Sequence, residues 1–153
     1  MPLAERLVMT LASASLAVAP HANACTISTT AVAFGTYLPT SSSPRDGTGT
    51  IELLCPLTVL APQVALGTGS SGTYSPRSMA SGASQLNYNL YTTAARTTVW
   101  GNGSSGTSAL TLSGPTLSGL QWRYTRTIYG RIPPVQNVSA GTYGDTLVVT
   151  VTF

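Results

Sequence analysis

The chain has 153 residues, one domain's worth, and only 7% of them are charged while 42% are hydrophobic; a soluble domain ordinarily carries roughly 25% charged residues. Polarity comes instead from Ser, Thr, Asn and Gly, which suit turns and strand faces, so the composition points to β structure and away from helices. The net charge of +3 is built without any Lys, and the seven Arg, at 6, 45, 77, 96, 123, 126 and 131, are dispersed; that excludes the dense basic face of a nucleic-acid binder.

In chain order, Arg6 is followed by an apolar run from Leu7 to Leu11 and by Ala- and Ser-rich residues to Ala19. Pro20-His21-Ala22-Asn23-Ala24 then offers a small-x-small cleavage site. This is the layout of a secretory signal peptide, and it predicts a removable leader over 1–24 and a mature domain over 25–153. No later stretch approaches the ~20 apolar residues of a membrane-spanning helix. Export puts Cys25 and Cys55 in an oxidising compartment, where a disulfide closing a loop of about 30 residues stabilises a fold by ~3 kcal/mol. A second reading of Cys25 stays open at this point, namely lipidation at the cleavage site, although lipoprotein signals carry Leu where this chain has Ala22.

From Cys25 onward, short β-prone runs alternate with Gly, Ser, Pro and Asn punctuation. The predicted strands run from Thr26 to Phe34, Gly49 to Cys55, Gln63 to Leu66, Leu86 to Thr92, about Gln121 to Ile132, and Thr146 to Phe153. In the fourth, Leu86, Tyr88 and Leu90 share one face and Asn87, Asn89 and Tyr91 the other, the alternation of a half-buried strand. The stretches TSSSP at 40–44, GTGSSG at 67–72 and GNGSSG at 101–106 are loops by composition. Gly-Thr-Tyr recurs at 35–37, 72–74 and 141–143, but the unequal spacing speaks for turn closure and not for a repeat architecture.

Without the leader the domain has no His and no Lys, and its acids reduce to Asp46, Glu52 and Asp145. Groups that move protons near neutral pH are therefore scarce, and neither a Ser-His-Asp nor a Cys-His device can be assembled. Two distant cysteines do not make a metal site. Asp46 and Asp145 stand beside Gly47 and Gly144, where acids act as turn formers. The expectation is a domain with no catalytic, cofactor-binding or metal-ligating residues.

The final residues place Leu147, Val149, Val151 and Phe153 on one face of a strand that nothing follows. An uncharged, β-rich edge of that kind has to be covered, either by another strand of the chain or by one from another protein.

Several phrases together resemble the spore coat protein U domain family, which includes the subunits of archaic chaperone-usher pili. They are CTIS at 25–28, VAFGTYLP at 32–39, GTGTI at 47–51 with Cys55 close behind, LNYNLYTTAARTTVWGNG at 86–103, IYGRIP at 128–133 and AGTYGDTLVVTVTF at 140–153. The resemblance covers nearly the whole mature chain in order. It implies an immunoglobulin-like β-sandwich lacking one strand, carried through the periplasm by a dedicated pilus chaperone, assembled at an outer-membrane usher and displayed among neighbouring subunits in a surface pilus or coat, with a role in attachment or biofilm. Carried onto this sequence, it puts the family's disulfide on Cys25 and Cys55 and a strand-acceptor groove along Leu147, Val149, Val151 and Phe153. Shaft subunits of such pili carry an apolar extension before the first Cys. Cleavage after Ala24 leaves none here, so the expectation is a subunit that accepts a strand without donating one, or a coat protein acting alone. The competing expectation is a self-sufficient secreted sandwich that binds a carbohydrate or a surface through Trp100, Trp122 or Tyr124.

Overall fold

The computed structural model describes the backbone of residues 5–10 and the whole of residues 25–153. The rest of the leader, with His21 and the Ala22-x-Ala24 motif, lies outside the described residues. Strands β1 (Glu5–Thr10), β2 (Thr26–Ala33), β3 (Arg45–Pro56), β4 (Gln63–Leu66), β5 (Arg77–Ser81), β6 (Ser84–Tyr91), β7 (Leu110–Thr111), β8 (Thr116–Ser118), β9 (Gln121–Ile132) and β10 (Thr146–Thr152) make up two sheets. One sheet runs β1-β10-β4-β7 and the other β2-β3-β9-β6-β5, with β8 added alongside β9. Among the described residues a single 3-10 turn, Gly69–Ser71, interrupts the β structure. Among the described residues no helix is long and apolar enough to cross a membrane.

The sheets pack because each strand alternates. Ile51, Leu53 and Cys55 of β3, Leu86, Tyr88 and Leu90 of β6, and Tyr124, Ile128 and Ile132 of β9 face Val64 and Leu66 of β4 and Leu147, Val149 and Val151 of β10, all of them buried. That is an immunoglobulin-like sandwich in its construction, two antiparallel sheets around one core. Cys25 and Cys55 form a disulfide spanning 30 residues of sequence, which engages the sulfur that a lipid on Cys25 would need.

The predicted bounds of β4 and β9 match the structure, whereas β3 begins four residues before the expected Gly49, at Arg45. The early part of β3 reads poorly as a strand because Gly47 and Gly49 interrupt it. The structure explains the interruption: a Cβ at Gly47 would lie 2.5 Å from the Ala33 carbonyl oxygen, so the end of β2 lies directly on β3. Gly130 near the end of β9 serves the same purpose, since a Cβ there would meet Phe34 Cζ at 2.6 Å and Val32 Cγ1 at 2.7 Å. Replacing Gly130 by Val should therefore destabilise the domain by about 1–3 kcal/mol through overpacking. Urea unfolding reads this directly, and Phe34→Leu on the same background should restore part of the loss.

One residue of β6 breaks its alternation. Asn89 was expected on the solvent face but is buried, because its Oδ1 accepts a hydrogen bond from Arg77 Nη1 at 2.7 Å. Strand β5, which begins with that arginine, was not foreseen, nor were the short β7 and β8.

Candidate functional site

β10 pairs on one side with β4, Val149 opposite Leu66 and Val151 opposite Val64. Among the described residues its other side is covered by β1, six residues running antiparallel from Glu5 opposite Val151 to Thr10 opposite Thr146. The expected acceptor residues divide here. Leu147, Val149 and Val151 share the buried face, whereas Phe153 lies past the last residue of β10 and is 42% exposed. The backbone edge that faces β1 is thus a strand edge with an apolar face beneath it and one short segment beside it.

The start of β10 is anchored by polar groups. Asp145 is buried; its Oδ1 accepts from the backbone N–H groups of Ser70 and Thr146, both at 2.8 Å, and its Oδ2 from the Tyr88 hydroxyl at 2.6 Å. Gly144 and Ala80 exchange backbone hydrogen bonds of 2.9 and 3.1 Å, so the same point is tied to β5. Burial first, and the hydrogen bond to Asp145 second, push the Tyr88 phenol well above the usual tyrosine range. A raised folded pKa means that the unfolded chain releases this proton first, near pH 10. The stabilisation is therefore complete below about pH 10 and falls as the pH rises beyond it. Melting curves taken from pH 7 to 11 should drop more steeply for the native chain than for Tyr88→Phe; parallel curves would show that Tyr88 is not the group responsible.

Asp46 and Glu52 are committed elsewhere. Asp46 receives Nε and Nη2 of Arg131 at 2.7 and 2.9 Å and lies 3.3 Å from Arg96 Nη1. The hydrogen bonds from Arg131 hold its carboxyl below the ordinary range, so this contribution is lost as the pH falls below about 4. Because the pair is largely exposed it amounts to no more than about 1 kcal/mol. Glu52 pairs with Arg123 at 3.2 Å. Asp46 and Glu52 stand on one face of β3, six residues or roughly 20 Å apart, beyond the ~5–9.5 Å that paired carboxylates need to cleave a glycosidic bond. Among the described residues no group of three or more His, Cys, Asp or Glu converges on one point.

The aromatic residues considered for surface binding are not an exposed set. Trp100 is buried with its Nε1 donating to the Val64 carbonyl at 3.0 Å, and buried Tyr124 donates its hydroxyl to the Val59 carbonyl at 3.1 Å. Trp122, half-buried, donates to the Leu57 carbonyl at 3.2 Å. They hold loops against the sheets. Arg96, in the same phrase as Trp100, has φ +55°, donates to the Gly130 carbonyl at 3.2 Å and lies 5.7 Å above the Tyr129 ring.

A second feature was not foreseen from the sequence. Where β9 ends and before β10 begins, a cleft of about 710 Å³ opens among Val32, Phe34, Met79, Leu86, Ile132 and Val138, with no charged residue in its lining.

These observations define a class: a disulfide-pinned, two-sheet β domain in which Asp46, Glu52 and Asp145 are engaged in structural hydrogen bonds and ion pairs and whose distinctive feature is a strand edge. The Spore Coat Protein U domain matches residues 11–150, and the chain belongs to that family. It is 38% identical over 133 residues to Protein U of Myxococcus xanthus, covering 78% of this chain and 70% of that protein. Among solved structures it resembles the CsuC–CsuE chaperone-tip adhesion subunit pre-assembly complex from the archaic chaperone-usher Csu pili of Acinetobacter baumannii, with a TM-score of 0.57 and 25% identity over 85% of this chain. The chain spans 39% of the length of the chain it matches there.

Proposed function

We propose that this chain is an exported, non-catalytic structural subunit of a surface pilus or coat, and that the outer edge of β10 accepts a strand from another protein. The observation that carries the reading is the antiparallel pairing of β10 with Glu5–Thr10, residues inside the segment read as a leader. If export removes 1–24, the edge above Leu147, Val149 and Val151 loses its neighbour, and a core face is left to water. A periplasmic chaperone, and then a neighbouring subunit delivered at an outer-membrane usher, are the partners that would restore it by strand addition. The similarity to a chaperone-bound pilus subunit supports this route. A mature chain starting at Cys25 would accept a strand without an extension of its own to give.

A photo-crosslinking residue in place of Thr150 on β10 tests the proposal in the exporting cell. Crosslinked peptides should map to an alternating apolar segment of a chaperone or neighbouring subunit. Crosslinks only to retained residues of the leader, or none, would mean that the edge is not an acceptor. The competing reading, a self-sufficient sandwich binding through Trp100, Trp122 and Tyr124, has lost two of its three residues to the interior.

A further inference from the structure

β10 owes more of its backbone pairing to β1 than to β4. The ladder with β1 takes in six of its residues, Thr146 to Val151, whereas the ladder with β4 takes in four, Val149 to Thr152. The two ladders use opposite edges. Gly67 donates its N–H to the Val148 carbonyl from the β4 side. Backbone groups alternate along a strand, so Leu147, Val149 and Val151 turn their N–H and C=O groups the other way, toward Met9, Leu7 and Glu5.

The residues that supply this ladder also open the apolar run of the leader, since Leu7 to Thr10 belong to both. One segment cannot lie in a bilayer and in a β-ladder at once. The pairing is therefore a property of chains that still carry the leader and are not engaged in export. In such a chain the edge proposed above to accept a partner strand is already taken. A tethered strand acts at an effective concentration of about 1 mM, which a free strand at micromolar concentration does not match. A cut after Ala24 ends that advantage, because in a solution at about 1 µM chain the freed segment is diluted ~1,000-fold.

We propose that Glu5–Thr10 is an intramolecular cap on the acceptor edge: the chain is closed to strand addition while the leader is attached, and removal of the leader opens it. Processing then sets the moment at which the subunit accepts a partner. It also means that an unprocessed chain presents no bare β10 edge on which copies could pair with one another. The proposal rests on the reading of β10 as a strand acceptor and adds the control of that site.

The full chain, purified with its leader attached and its disulfide formed, is the material for the test, and a protease recognition sequence inserted between Ala24 and Cys25 allows the leader to be cut from the folded protein. In the uncut chain the amides of Leu147, Val149 and Val151 should be protected from hydrogen exchange. A fluorescent peptide copying Glu5–Thr10 serves as the incoming strand, and anisotropy should show the uncut chain taking it up at least ~10-fold more weakly than the cut one. Leu7→Pro should release the three amides and raise uptake by the uncut chain, because the Leu7 N–H faces Val149 and proline has none to give. Val8→Pro should do neither, since the N–H it removes points away from β10. Fast exchange of the three amides in the uncut native chain, equal uptake by cut and uncut chains, or no effect of Leu7→Pro would overturn the cap and leave the acceptor reading standing. Uptake by neither form would overturn the cap as well, and the acceptor reading would fall with it if Thr150 also gave no partner crosslink in the exporting cell.

Discussion

Replacing Arg77 by Met should lower stability by about 3–5 kcal/mol, because it leaves three buried acceptors without their donor at about 1–3 kcal/mol each. The Arg77 side chain is fully buried, and each nitrogen of its guanidinium donates a hydrogen bond. Nε and Nη2 donate to the Gly67 carbonyl at 3.0 and 2.8 Å, Nη2 also to the Trp100 carbonyl at 2.7 Å, and Nη1 to Asn89 Oδ1 at 2.7 Å. The Tyr74 ring lies 5.3 Å away. Every acceptor is neutral, so the charge is stabilised by dipoles and not by a contacting carboxylate. Burial pulls its pKa below the ordinary arginine value. Methionine fills much of the same volume but leaves two carbonyls and an amide oxygen without donors, and each buried group left unsatisfied costs about 1–3 kcal/mol. Lysine should not rescue the variant: one ammonium cannot reach three acceptors arranged around a planar fork, and desolvation neutralises lysine more readily. The loss reaches the acceptor edge, because Gly67 also donates its N–H to the Val148 carbonyl of β10 at 2.8 Å. Urea unfolding should show a lower midpoint with an unchanged slope; a midpoint within about 0.5 kcal/mol of native, the scatter of ordinary surface substitutions, would contradict the role given to Arg77.

The second large effect is expected at the disulfide. Converting Cys25 and Cys55 together to Ala should cost ~3 kcal/mol in the chain-entropy account, since the bridge closes a loop of 30 residues. Its local consequence is argued from β2. Thr26, Ser28, Thr29 and Thr30 are exposed and Val32 is the one fully buried residue of the strand, so β2 has little apolar surface to hold it. Its ladder to β3 is interrupted between Thr30 and Ala33. The bridge fixes the strand at the end away from Val32. A reductant should therefore lower the melting temperature of the native chain and leave that of the double variant unchanged. Equal melting temperatures of reduced and oxidised native protein would refute the stabilising role.

The strands were legible where alternation is clean, as in β4, β9 and β10, and the two cysteines were legible from compartment chemistry. What stayed hidden was whatever depends on a residue acting against type. An arginine directly after Pro76 reads as surface, and only the convergence of two carbonyls and Asn89 makes it a core residue. Asn89 then leaves the face that its position in β6 assigns to it. The residues before Gly49 were left out of β3, because the approach of β2 that makes Gly47 fit there comes from residues well removed in sequence. Leu57, Leu60 and Leu120 carry no periodic signal, since they lie in the connections between strands, and β8, which holds Leu117, is too short to show one. For the acceptor edge, the alternation of Leu147, Val149 and Val151 was readable, whereas the segment lying alongside it was not.

Hydrogen exchange along Thr146–Thr152 tests the central claim most directly. The exported chain should be measured by itself and again with its strand-donating partner bound. The account predicts that the β10 amides directed away from β4 exchange fast in the isolated chain, that they slow by orders of magnitude on binding, and that the amides of β3 and β9 stay protected in both. Equal protection of β10 in the two states would mean that the edge has no vacancy to fill, and the reading of this chain as a strand acceptor would be wrong.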